Sequence, residues 1–203
     1  MAELATATPT PLPVGPVRDH GIGRGGMFAL IASEAALFGY LLFSYYYTGA
    51  SAPTPWVLEA HPALKLALPN TLILLLSSVA IWFAEGATRH EERAKALIGC
   101  GIAFVLGTIF VAVQMFEWKA KAYGLAKSSY ASLYYITTGF HMAHVVVGLA
   151  VLAMLFVWTG LGYFTPTRRI VFTNGSYYWH FVDAIWLAVF TTYYITPYLG
   201  FAT

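Results

Sequence analysis

Charge is scarce in this sequence. Its 203 residues hold 11 Lys and Arg against 9 Asp and Glu, so charged side chains make up 10%. A soluble globular domain has about 25%. A water-exposed surface could not be covered with so few charges, which excludes a soluble enzyme or a nucleic-acid binder. The net charge of +2 is also too small to suggest a polyanionic partner. Cysteine occurs once, at Cys100, which excludes an internal disulfide and any cysteine metal cluster within the chain. No basic region precedes a short apolar stretch at the N-terminus. Residues 1–26, rich in Ala, Thr and Pro, therefore read as a disordered or extended tail rather than a cleaved signal peptide. No internal repeat is visible, and no low-complexity tract beyond the tail.

What the sequence has is apolar length. Hydrophobic residues reach 59% and aromatics 17%, concentrated in long uncharged runs. A membrane-spanning helix needs about 20 mostly apolar residues. Five segments qualify, at about 27–47, 66–85, 96–118, 131–158 and 177–199. Helices satisfy their own backbone hydrogen bonds in lipid. The expected fold is therefore all-α, a polytopic bundle of five transmembrane helices over residues 27–200, without an obvious wide pore. The breakers Pro53, Pro55 and Pro166 fall in the connections, and Arg89 to Arg93 crowd the tight second turn.

Orientation follows from the basic residues, which concentrate on the cytoplasmic side. Arg18, Arg24, Arg89, Arg93, Lys95, Arg168 and Arg169 fall on the side of the N-terminus. Only Lys65, Lys119, Lys121 and Lys127 fall on the other. This bias places the N-terminus in the cytoplasm and the C-terminus outside. Tyr45, Tyr46, Tyr47, Tyr193, Tyr194 and Tyr198 suit the interfacial belt at the outer ends.

An ionisable group inside a membrane helix is a functional-site candidate by default. Glu34 is the sharpest case, roughly 10 Å into the first span at ~1.5 Å per residue, with no basic residue in the same span. Such a carboxyl is a candidate proton carrier, or a neutral hydrogen-bond donor to a neighbouring helix. His141 and His144 on the fourth span, and His180 and Asp183 on the fifth, form two i,i+3 pairs. Three histidines and a carboxylate can in principle hold a metal or a haem. HxxH alone is a weak signal, and an interhelical hydrogen-bond network is the reading preferred, with Gly139 and Gly148 allowing close approach. Gln114 and Glu117 lie near the outer end of the third span and are expected to reach water there. Glu85 reads the same way at the opposite surface, and Asn70, after Pro69, reads as a helix cap. Two motif matches carry no weight. Gly21, Gly23 and Gly26 have dinucleotide-binding spacing but no preceding strand, and the sequon at Asn174 falls on the cytoplasmic side.

Five separated stretches, in order, resemble subunit III of the haem–copper respiratory oxidases, in its short bacterial form with five helices. They are IASEAALFGYLLFSYYY (31–47), LPNTLILLLSS (68–78), QMFEW (114–118), TTGFHMAHVVVGL (137–149) and YYWHFVDAIWL (177–187). The resemblance covers about 27–199. It implies an accessory subunit in the bacterial inner membrane that is part of an oxidase but has no catalytic centre or metal of its own. Haem and copper would lie in partner subunits. Subunit I would be the direct partner, with subunit II and other oxidase subunits also in the complex. Glu34 would correspond to the family's carbodiimide-reactive carboxyl near a cleft that holds phospholipid. The subunit would support proton uptake, protect the enzyme during turnover and guide oxygen. His141, His144, His180 and Asp183 would be structural. Longer members have two further N-terminal helices, where this chain has its proline-bearing tail.

Glu34 and the LPNT segment point to cytochrome c as electron donor, with a quinol oxidase or nitric-oxide-reductase-associated homologue as the alternative. More distant alternatives are a free-standing haem-binding protein using the histidines and a proton-coupled transporter built on Glu34. The absence of an inverted repeat counts against the transporter.

Overall fold

The computed structural model describes residues 20–58, 62, 64–165 and 169–202. Most of the N-terminal tail, together with Arg18, Pro166 and Arg168, lies outside them. The described residues form five helices: α1 (His20–Ser51), α2 (Leu64–Arg89), α3 (Arg93–Ala120), α4 (Ser129–Gly160) and α5 (Ile170–Phe190). A π-helical turn, Thr191–Ile195, and a 3-10 turn, Thr196–Leu199, continue α5. Four helices, α1 to α4, are long and apolar enough to cross a membrane.

α1 to α4 each outrun at both ends the apolar segment that announces them, and α5 starts ahead of its own. A helix can continue beyond the hydrocarbon, so the apolar run marks only its middle. α1 begins at His20 rather than Met27, so residues 20–26 are helical and not part of an extended tail. α5 begins at Ile170 rather than Tyr177 because its polar first turns face protein: Thr173 and Ser176 are buried. Asn70 is not a cap. It lies inside α2, where its Nδ2 donates to Phe110 O at 3.3 Å. The α4 start does have a cap, Ser128, whose Oγ accepts from Ala131 N at 3.2 Å. The α2–α3 turn is tight enough to hold Glu91 at φ 58°.

α2, α3, α4 and α5 pack in a ring, each against the next, and α5 closes the ring against α2. Small residues set the spacing. A Cβ at Gly99 would come within 2.8 Å of Ala80 O and of Ala84 Cβ, so α2 and α3 meet backbone to backbone. Inside the ring lie Trp179, Trp186, Phe110, Leu74 and Ile81, all buried. α1 stands outside it and packs mainly on α4 and α5, with Tyr46 also bonded to Thr192 and Thr196 beyond α5. The termini of the helices tie down locally: Ala202 O accepts from both Trp56 N and Val57 N, at 2.9 and 3.1 Å.

Candidate functional site

Because α1 packs mainly on α4 and α5, a carboxyl on its inner face has few possible partners. Glu34 finds one. Its Oε2 lies 3.0 Å from Nε2 of His144, with both side chains only partly exposed. The other ring nitrogen, Nδ1, is 2.7 Å from Phe140 O. A carbonyl oxygen can only accept, so Nδ1 bears a proton and Nε2 faces the carboxyl. A 3.0 Å contact between Nε2 and Oε2 then requires one proton between them, held by the acid or by the ring. Phe38 packs edge-on against the imidazole, with ring centroids 5.1 Å apart. Tyr178 of α5 donates its hydroxyl to His144 O at 3.5 Å.

Next to this pair is an apolar groove of about 390 Å³ between α1, α4 and α5. Met27, Leu30, Val151, Met154, Trp158 and Val171 line it. Tyr178 also lines it and links it to the His144 backbone. Asn174, on the same wall, donates Nδ2 to Gly23 O at 3.1 Å and fastens α1 to α5. The sequon residue thus has a structural role. The arrangement is an apolar groove with a polar tie at Asn174 and the Glu34–His144 contact beside it.

The histidines and Asp183 do not form one network. His144 turns to α1, whereas His141, three residues earlier, turns into the ring. There it is fully buried and stacks on Trp186 at 5.0 Å, with an interplanar angle of 29°. Neither of its nitrogens has a hydrogen-bond partner. Asp183 lies beside Ser78 of α2. His180 faces Glu85, whose Oε1 accepts from Arg89 at 3.3 Å and Thr173 at 3.2 Å. An i,i+3 offset leaves side chains about 60° apart around the axis, enough to send them to different neighbours on a helix that touches several. Among the described residues, no three His, Cys, Asp or Glu side chains are grouped to hold a metal ion.

Gln114 and Glu117 are the clearest departure from the sequence reading. Both are buried, at 0% and 7% exposure, rather than reaching water. Glu117 Oε1 accepts from the Tyr194 hydroxyl and, at 3.4 Å, from Tyr134. It also pairs with Lys121 Nζ at 3.6 Å. The ammonium sits 5.1 Å from the centre of the Tyr134 ring. Tyr134 was not singled out from sequence, while Tyr194 read as an interfacial-belt residue and Lys121 as an outer-side charge, although both side chains are buried. The signal was there in the spacing Ala103, Gly107, Phe110, Gln114, Glu117, a stripe along one face of α3 that is buried throughout.

The sequence matches the family model described as cytochrome c oxidase subunit III over residues 16–198. It is 33% identical to cytochrome c oxidase subunit 3 of Mammuthus primigenius, over 88% of this chain and 71% of the relative. Against the chain of that name from Gallus gallus it is also 33% identical, over 84% and 68%. A probable cytochrome c oxidase subunit 3 of Nocardia farcinica (strain IFM 10152) is 32% identical over 94% of this chain and 98% of its own length.

Proposed function

Since this chain belongs to the cytochrome c oxidase subunit III family, we propose that it is a non-catalytic accessory subunit of a proton-pumping haem–copper oxidase fed by cytochrome c. In this reading α5 with its π and 3-10 continuation is the fifth span of a multi-pass protein of a bacterial inner membrane. The N-terminus is cytoplasmic and the C-terminus periplasmic. The direct partner is subunit I, beside subunit II. Haem and copper in the partners supply the oxygen chemistry. Among the described residues, His141 and His144 do not fit either group, because His141 is walled in by Trp186, Phe110 and Phe38, and His144 faces Glu34 instead.

The observation that supports this role best is the Glu34–His144 contact beside the apolar groove. The groove's apolar lining suits a phospholipid acyl chain, and the pair holds one exchangeable proton next to it. A proton can move between Oε2 and Nε2 without a net charge appearing in the low-dielectric interior, which keeps the exchange cheap. Such a pair supports proton uptake by the neighbouring subunit and steadies the enzyme during turnover, without touching a cofactor.

Purification of the tagged chain in mild detergent tests the assignment. A large haem- and copper-bearing subunit should co-elute. The Glu34→Ala complex should still assemble, retain its haem and reduce oxygen, but lose activity faster during continuous turnover. Elution of the chain alone, or loss of haem from the Glu34→Ala complex, would overturn the proposal.

A further inference from the structure

The half of the ring that holds the chain's C-terminus contains more polar atoms than the protein satisfies. Asn70 Oδ1, Gln114 Oε1 and Nε2, Glu117 Oε2, and both ring nitrogens of His141 are buried without a hydrogen-bond partner. These side chains come from α2, α3 and α4 and follow one another along the ring interior from Phe110 to Glu117. Asn70 binds the Phe110 carbonyl at 3.3 Å, one helical turn before Gln114. The Phe110 ring is 6.0 Å from His141. Gln114 faces the Tyr194 hydroxyl, which itself binds Glu117.

Native proteins leave very few buried polar groups unpaired, and each such group costs the interior its desolvation. Here they follow one another along one stretch of the ring interior about 10 Å long, so a small cluster of occupants can serve several. We infer that this stretch of the ring interior is a binding site for a small cluster of water molecules, held by Asn70, Gln114, His141 and Glu117. The mixture of groups selects water. Asn70 Oδ1, Gln114 Oε1 and Glu117 Oε2 need a donor, Gln114 Nε2 needs an acceptor, and a neutral imidazole needs one of each. A metal cation satisfies no donor, and the Lys121 ammonium already stands 3.6 Å from Glu117. An anion is repelled by the Glu117 carboxylate. Water both donates and accepts, and buried water typically makes about three such bonds.

The π-helical turn is what completes the wall. Its wider winding brings the consecutive residues Tyr193 and Tyr194 both inward, where each is buried and bound: Tyr193 to Thr137 at 3.0 Å, Tyr194 to Glu117. Such turns recur at functional sites. The site is separate from the Glu34–His144 pair and does not depend on the role proposed for it.

Radiolytic labelling of the chain, purified with its natural partners, tests this directly, because radicals born from bound water oxidise the side chains beside it. Once each rate is divided by the intrinsic reactivity of its side chain, Tyr194, Tyr134 and Trp186 should be oxidised several-fold faster than Phe172, which is equally buried but lies 14 residues before Trp186 on α5. Gln114→Leu should abolish most of that excess. A density map of the unaltered complex provides the second reading, with solvent peaks expected within hydrogen-bonding distance of Gln114 and Glu117. Labelling of the three residues at the Phe172 level, or a map without such peaks, would overturn the inference.

Discussion

The indole of Trp179 lies so close to Gly148 that a Cβ there would come 2.8 Å from both Cε3 and Cζ3. On its other side the same ring meets Gly107, where a Cβ would be 2.7 Å from the ring edge. Its Nε1 donates to Ser77 Oγ at 3.0 Å. One side chain of α5 thus gauges the distance to α2, α3 and α4 together, and two glycines make the space for it.

Gly148→Ala and Gly107→Ala should each destabilise the folded chain by about 1–3 kcal/mol, the usual cost of overfilling a packed core. Gly139 provides the control. It was expected to allow close helix approach, but nothing lies within 4 Å of a Cβ built there. Gly139→Ala should be neutral or slightly stabilising, since alanine is the better helix former. Thermal inactivation of the purified protein separates them, and equal midpoints for Gly148→Ala and Gly139→Ala would refute the argument.

Lys121→Met should be costly, about 3–5 kcal/mol, because it strands the Glu117 carboxylate with its charge unbalanced. Both side chains of this pair are nearly fully buried. Combining it with Glu117→Gln should recover most of the loss. Denaturant midpoints of the two single variants and the double variant measure the coupling; additive losses would mean that the pair does not act as a unit.

Glu34 and His144 should show a coupling of about 1–3 kcal/mol in a cycle of Glu34→Ala, His144→Ala and the double variant. Glu34→Gln should retain much of the stability, since its amide can donate to Nε2 while Nδ1 stays bound to Phe140 O. If Glu34→Gln were as damaging as Glu34→Ala, the contact would need the acid itself.

Glu91→Gly should stabilise the α2–α3 turn by about 1 kcal/mol. Glu91 is exposed and held at φ 58°, a conformation that a side chain disfavours and glycine accepts freely. An unchanged melting temperature would show that the turn relaxes around the side chain.

The helices were legible in the sequence because lipid-length apolar runs leave little choice of backbone. Their ends were not, since a helix can run on into polar residues once those face protein, as Thr173 does toward Glu85. Glu34 and His144 were both identifiable as buried ionisable groups, but nothing in a linear sequence brings residues 34 and 144 together. That needs α1 to be placed on the α4–α5 side. Gln114 and Glu117 were misread for a different reason. Distance along α3 was taken to mean access to water, when rotation about the axis decides exposure. The stripe from Ala103 to Glu117 contained that rotation.

The short span between Glu34 and His144 also has an electrical meaning. A charge that crosses the whole membrane gains about 2.3 kcal/mol per 100 mV. A proton that shifts between atoms 3.0 Å apart traverses at most about a tenth of a hydrocarbon layer ~30 Å thick. The membrane potential can therefore bias it by only about 0.2 kcal/mol per 100 mV. Whatever voltage the respiring membrane sustains, the division of that proton between carboxyl and ring stays almost constant.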